Sequence, residues 1–315
     1  MLDISDDEID RVFAPGIVRE VQSNDQEWSK DVRRARYKAL RDAFFVAVGR
    51  KKLTVQSSAE WYESKWSSNS VVSRMDLGSN DKKPGRVVWR KRLYFANNHA
   101  VKRVHLLYLM RLIEVLKPTT VLEVGSGMGV NLLILANRFP NIRFTGVEPT
   151  ENGHATAEQV KTWDALPDIA KNFSPLPLRS ETAHKDIRFL RASAVALPFA
   201  KSAFDLTFTV QALEQMEAIR HQALSEIARV SKHTAMFEPF ADFNQSLHHR
   251  IRVVSRDQFR GRMSDLPSVG LEPLWSCNRM PSKLDYGIGV VLSRSNTTPT
   301  GTSTIAAAED VHNVP

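Results

Sequence analysis

The stretch Val121–Val130 reads VLEVGSGMGV. Apart from Glu123, its first four residues are apolar, as in a buried strand. Glycines then fall at every second position: Gly125, Gly127 and Gly129. Glycine allows positive φ and carries no Cβ, so backbone there can approach a ligand closely. A helix starting just beyond would turn free N–H groups toward an anionic group. The dinucleotide fingerprint requires G-x-G-x-x-G. Here the third glycine comes one position early, and Val130 takes the fingerprint's last place.

Outward from this stretch, short apolar runs alternate with helical patterns. The spacing predicts strands at Thr120–Val124, Arg143–Val147, Ile187–Arg191, Asp205–Thr209 and Thr234–Glu238. Helices are predicted at Met128–Arg138, Ala155–Lys171, Gln211–Ala218 and Ile219–Ser231. Alternating units of this kind make a doubly wound, mostly parallel sheet with helices on both faces, an α/β Rossmann-like fold. After a predicted helix at Arg256–Leu266, the runs Leu271–Cys277 and Tyr286–Ser293 have only a loop between them, so they must pair antiparallel. A seven-stranded sheet with an antiparallel last strand at its far end is expected.

Three further segments narrow the class. Thr145–Pro149 (TGVEP) puts Glu148 at the end of the second strand, where a carboxylate can accept both hydroxyls of a ribose. Leu190–Gln215 contains Leu197–Pro198–Phe199 and then Phe204–Asp205–Leu206. Glu226–Val230 (EIARV) and Met236–Pro239 (MFEP) follow. With E-x-G-x-G-x-G at Glu123–Gly129, this set resembles the class I methyltransferases that use S-adenosylmethionine, in particular the small-molecule, type 11-like group. The resemblance covers about Asn98–Arg294. It implies cofactor binding by Glu123, Gly125, Ser126, Gly127, Gly129, Glu148, Ser193, Ala194, Gln211 and Glu214. Ser193 stands where the family usually has Asp; its hydroxyl can still accept a hydrogen bond. Gln215 replaces a commonly seen His, so that position offers no base. The resemblance also implies in-line methyl transfer, in which alignment and desolvation do most of the work. Where the acceptor must lose a proton, His248 and His249 in Asp242–Arg250 are the candidate bases. Read without the family, they are surface-loop histidines. His105 on an apolar helix face reads as packing.

The 315 residues carry 43 Lys+Arg and 35 Asp+Glu, a net charge of +8. Cys277 is the single cysteine, which excludes an internal disulfide and a Cys-rich zinc site. No metal site is expected. The acidic start MLDISDDEID does not resemble a secretory leader, and no apolar run reaches a membrane span. A cytoplasmic protein without a membrane span is the expectation.

Residues 1–95 read as a mostly helical leader that caps the acceptor pocket, with a helix at Asp31–Val48, a short one at Ala59–Trp66 and a flexible loop at 67–85. A long helix is predicted at Asn98–Leu116, ending before Pro118. Residues 96–294 form the catalytic domain, and 295–315 a disordered tail. The region Ser174–Lys185 reads as an insertion near the cofactor or acceptor. Lys82–Arg111 carries nine Lys+Arg and no acid, with Trp89, Tyr94 and Phe95 interleaved. Three readings stay open for it: a site for an anionic small acceptor, a nucleic-acid groove, or a solvated face paired with the acidic start. The sequence thus predicts methyl transfer to an O or N atom of a small molecule. The alternatives are an RNA or protein methyltransferase that uses the basic stretch, and a non-catalytic cofactor-binding protein on the same scaffold. Oligomeric state is not encoded in these patterns.

Overall fold

The computed structural model describes residues 2, 4–22, 24–48, 60, 62–64, 84–244, 249–251, 253, 258–282 and 287–296. The glycine stretch sits where its pattern places it. Strand β4 (Thr120–Val124) runs into the glycine turn, and helix α4 (Val130–Arg138) runs back. The helix starts two residues later than predicted because Gly129, at φ +77°, cannot be its first turn. Parallel strands β5 (Arg143–Glu148) and β6 (Arg188–Arg191) extend the sheet on one side. On the other side lie β7 (Phe204–Val210) and β8 (Ser231–Glu238). The last strands are β9 (Leu271–Cys277) and β10 (Gly289–Ser295).

The seven strands lie in the order β6-β5-β4-β7-β8-β10-β9. Strand β10 is antiparallel to both β8 and β9. The reversed strand is therefore last in the chain but one place in from the edge, between two strands that point the other way.

Side chains of alternate strand positions feed two cores, one per face. On one face Val121, Leu206, Phe208, Phe237 and Val290 pack under α4 and under α3 (Asn98–Leu116). On the other, Leu122, Met236 and Val291 meet α7 (Arg220–Val230) together with Phe259 and Leu266. His105 of α3 is buried against Phe237, 5.9 Å between ring centroids, as its apolar face predicted. Cys277 is half-buried, with its Sγ 3.4 Å from the Tyr108 hydroxyl.

Three predicted helices change form. Ala155–Lys171 divides into α5 (Glu151–Lys161) and a single turn α6 (Asp168–Lys171), because Pro167 precedes the second piece. Gln211–Ala218 is two 3-10 turns, Leu213–Gln215 and Glu217–Ile219, because Gln211 has φ +55° and starts no helix. In place of Arg256–Leu266 there is a 3-10 segment at Met263–Val269 that contains Pro267; residues 254–257 lie outside the described residues.

Among its described residues the leader is largely helical, with a small sheet that the sequence did not announce. It contains α1 (Asp6–Phe13), α2 (Gln26–Ala47) and a three-stranded antiparallel sheet of β1 (Ile17–Glu20), β2 (Gly85–Trp89) and β3 (Arg92–Ala96). The β2–β3 hairpin turns on Arg90 and Lys91, both at positive φ. That turn usually takes Asn-Gly, so its two cations concealed it. Two backbone hydrogen bonds between Val88 and Ser282 tie this small sheet to the segment between β9 and β10. The predicted 67–85 loop up to residue 83, most of Ala59–Trp66, and the tail from 297 lie outside the described residues.

Candidate cofactor site

The site forms where β4, β5 and β7 end, the crevice at which open α/β sheets bind ligands. Gly125, Gly127 and Gly129 have φ of +78°, +53° and +77°. A Cβ on Gly125 would lie 2.5 Å from the Ala212 Cβ, and one on Gly129 would lie 2.5 Å from Phe189 Cζ. Glycine is thus required twice over, by backbone angle and by space. The N–H groups of Gly125 and Ser126 both donate to the Val147 carbonyl, at 2.8 and 3.0 Å, which pins the turn to the end of β5.

Glu148 stands beside this turn. Its Oε2 accepts from the Gly127 N–H at 2.9 Å, and its Oε1 accepts from the Thr150 hydroxyl at 2.6 Å and N–H at 3.1 Å. Glu123 is buried inside the turn, with Oε1 held by Asn131 Nδ2 at 2.7 Å. Burial pushes its carboxyl up to about 8, with Glu148 adding to the rise; Asn131 and the Lys102 charge oppose it. Glu123 Oε2 and Ser126 Oγ are buried without a hydrogen-bond partner among the described residues. A buried polar atom left this way costs stability unless a ligand supplies the missing bond.

The turn after β7 closes the other side. Gln211 donates its N–H to the Phe237 carbonyl at 3.0 Å. Glu214 is buried, and its Oε1 accepts from Gln258 Nε2 at 2.9 Å. Glu238, at the end of β8, was not among the residues picked from the sequence. It is fully buried, and its Oε1 accepts the N–H groups of Ala212 and Leu213 at 3.0 and 3.1 Å. Burial again pushes the carboxyl up to about 8, and the nearby Glu214 charge pushes the same way. The one available signal was an acid at the end of an otherwise apolar strand, MFEP. Glu238 holds the turn whose Ala212 abuts Gly125, so β8 indirectly positions the glycine turn.

Ser193 is exposed at the tip after β6, its hydroxyl accepting weakly from the Val195 N–H at 3.4 Å, and Ala194 beside it is buried. His249 is buried on a helical turn, so it is not a surface-loop histidine; His248 lies outside the described residues.

Among the described residues the arginines of the basic stretch are mostly engaged. Arg90 pairs with Asp10 at 2.8 Å, Arg111 with Glu8 at 2.6 Å, Arg92 with Glu20 at 3.7 Å and Arg86 with Glu27 at 3.9 Å. Arg103 donates to the carbonyls of Val12, Asn172 and Ser174. Arg86, Arg90 and Arg92 tie parts of the leader to one another, while Arg111 and Arg103 of α3 fasten it to the domain, which fits the third of the readings above. The 174–185 insertion lies mainly away from the glycine turn. Its Arg179 and Ser180 N–H groups donate to the Asn137 carbonyl, and its Pro177 carbonyl accepts from Arg138. Both partners are at the carboxyl end of α4, and nine helical residues separate that end from the glycines, about 13 Å.

The cradle of glycines, the orphaned Ser126 and Glu123 oxygens and the strand-end Glu148 fit a nucleoside cofactor with a charged amino-acid arm. The comparisons agree. Residues 122–237 match the family model described as a methyltransferase domain. That segment of the chain is thus similar to a methyltransferase domain, and S-adenosylmethionine is the cofactor consistent with it. Among solved structures, the [4+2]-cyclase SpnF is similar at 16% identity with a TM-score of 0.51, over 79% of this chain and 98% of that one. The geranyl diphosphate C-methyltransferase from Streptomyces coelicolor is similar at 12% identity with a TM-score of 0.44, over 61% and 80%. The magnesium protoporphyrin IX methyltransferase from Synechocystis PCC 6803 is similar at 12% with a TM-score of 0.43, over 63% and 83%. No curated protein matches the chain. Among the described residues there is no metal-binding cluster and no helix long and apolar enough to cross a membrane.

Proposed function

We propose that the protein moves a methyl group from S-adenosylmethionine to an O or N atom of a small molecule. S-adenosylmethionine supplies a methyl group on a sulfonium, already a good leaving system. The chain's own residues bind and orient. Glu148 holds the ribose, the turn from Gly125 to Gly129 approaches the amino-acid arm, and Ser193 and Ala194 border the base. Gln211 and Glu214 line the side from which an acceptor approaches.

The observation that supports a small acceptor is a contact of the leader at this edge. Asn152, two residues beyond Thr150, donates its N–H to Glu63 Oε1 at 3.0 Å and its Nδ2–H to the Glu63 carbonyl at 3.2 Å. A leader segment seated so near Glu148 favours a covered pocket over a polymer groove. The four arginines of 86–111 that face leader carboxylates also weaken the case for RNA. His249, shielded from solvent, would serve as the base for acceptors that must lose a proton.

The test is calorimetry with S-adenosylmethionine, followed by transfer of labelled methyl across a panel of hydroxyl and amine acceptors. Binding plus turnover on a small acceptor is the expected result. Binding without any turnover would support a non-catalytic cofactor-binding protein. Absence of binding by the intact protein would reject the reading.

A further inference from the structure

Helix α2 carries an apolar stripe on the side turned away from the protein. Trp28 fixes the helix from the other side: it packs edge-on against Phe95 of β3, 6.3 Å between centroids, with Val21 and Val32 alongside. Tyr37, Leu40 and Phe44 stand 71%, 62% and 62% exposed, and Val48, whose N–H still donates to the Phe44 carbonyl, is 61% exposed. At 100° per residue these four fall within a sector of about 80°, nearly opposite Trp28. A row of large apolar side chains this long is unusual on a free surface.

The charges on the same helix say what would cover it. Lys30, Arg33, Arg34, Arg36, Lys38 and Arg41 outnumber Glu27, Asp31 and Asp42 two to one. Arg34 and Arg36 border the stripe on opposite sides, each about 80° from Phe44, and Arg33 lies in line with it, one turn below Tyr37. A second copy laid along this stripe would set arginines against arginines, which disfavours self-pairing. A helix with Phe, Leu and Tyr on one sector and cations on both flanks matches an interfacial helix, which buries its apolar face at the acyl boundary while Arg side chains reach the headgroups.

We propose that α2 is an interfacial anchor that docks the protein onto anionic lipid surfaces, through Tyr37, Leu40, Phe44 and Val48 with the flanking arginines. This goes beyond the enzymatic reading and does not depend on the acceptor. It also makes the leader more than a cap on the acceptor pocket.

The experiment is co-sedimentation of the full chain with vesicles of phosphatidylcholine alone and of phosphatidylcholine mixed with phosphatidylglycerol. Binding to the mixed vesicles, weakened by salt and scarcely detectable with phosphatidylcholine alone, is expected. Leu40→Asp with Phe44→Asp should lower the partition at least about tenfold, since two apolar anchors are lost. Each of Arg33→Gln, Arg34→Gln and Arg36→Gln should lower it about fivefold. All these side chains lie outside the cofactor site, so unchanged S-adenosylmethionine binding shows that each variant is folded. Failure to bind mixed vesicles at low salt, or equal binding by the Asp pair, would overturn the proposal. So would a concentration-dependent dimer that the Asp pair abolishes, which would assign the stripe to a second copy.

Discussion

The Gly127 N–H donates to Glu148 Oε2 across 21 positions of sequence, at 2.9 Å. One carboxylate thus shapes the glycine turn and, in the proposed function, also holds the ribose. Glu148→Ala removes both roles at once. A hydrogen bond to a charged group is worth about 1.5–3 kcal/mol, so cofactor affinity should fall about 10- to 150-fold. Calorimetry on the variant checks it; Glu148→Gln, which keeps an acceptor oxygen, should lose less.

Gly125 is constrained by angle and by room. Gly125→Val forces a β-branched residue to φ +78° and drives its Cβ into Ala212. Strain of this kind costs about 1–3 kcal/mol before the steric contact is added. For a domain of this size that corresponds to about 2–12 °C in Tm. A thermal melt without cofactor separates this loss from any effect on binding.

Glu123 and Glu238 set a pH dependence. Both carboxyls are raised in the folded state, to about 8, from the ordinary 4.5 of a free glutamate. The folded protein therefore holds more protons than the unfolded chain between those pH values, and stability falls as pH rises through that window. Below it the trend ends, because Asp205 and Glu226 are held low. For Asp205, burial works against the shift, but hydrogen bonds from Lys232 and Thr119 outweigh it; for Glu226, the Arg229 hydrogen bond leads. Tm of the ligand-free protein should be higher at pH 6 than at pH 8.5, and Glu238→Gln should flatten the slope.

The ion pairs of the basic stretch predict poor nucleic-acid binding. With Arg86, Arg90, Arg92 and Arg111 each facing a leader carboxylate, few cations are left to release counterions. Single-stranded RNA should bind no better than about 10⁻⁴–10⁻⁶ M at physiological salt, the ordinary non-specific range. A tighter complex with a steep salt dependence would revive the polymer acceptor.

What the sequence made legible follows residue specificity. Gly125, Gly127 and Gly129 answer to a backbone demand that few residues meet, so the turn, its strand and its helix could be placed within two residues. The hairpin at Arg90–Lys91 and the turn at Gln211 use positive φ in residues that seldom adopt it, and neither left a local trace. The place of β10 depends on pairing with β8, decided far along the chain by Val290 and Leu292 meeting Phe237 and Ala235. Glu238 escaped notice because its partners, the Ala212 and Leu213 amides, are over twenty positions away and carry no side-chain signature.

The reversed β10 also decides where the chain leaves the sheet. Its first residue, Gly289, lies opposite Glu238 at the cofactor edge, and Arg294 lies opposite His233 near the start of β8. The strand crosses the full width of the sheet, about 20 Å, and delivers Ser295 to the rim farthest from the glycines. An affinity tag, a fluorescent partner or a solid support joined through the carboxyl-terminal side would therefore begin its path behind the catalytic edge. Immobilisation in that orientation leaves the edge that carries the glycine turn facing solution.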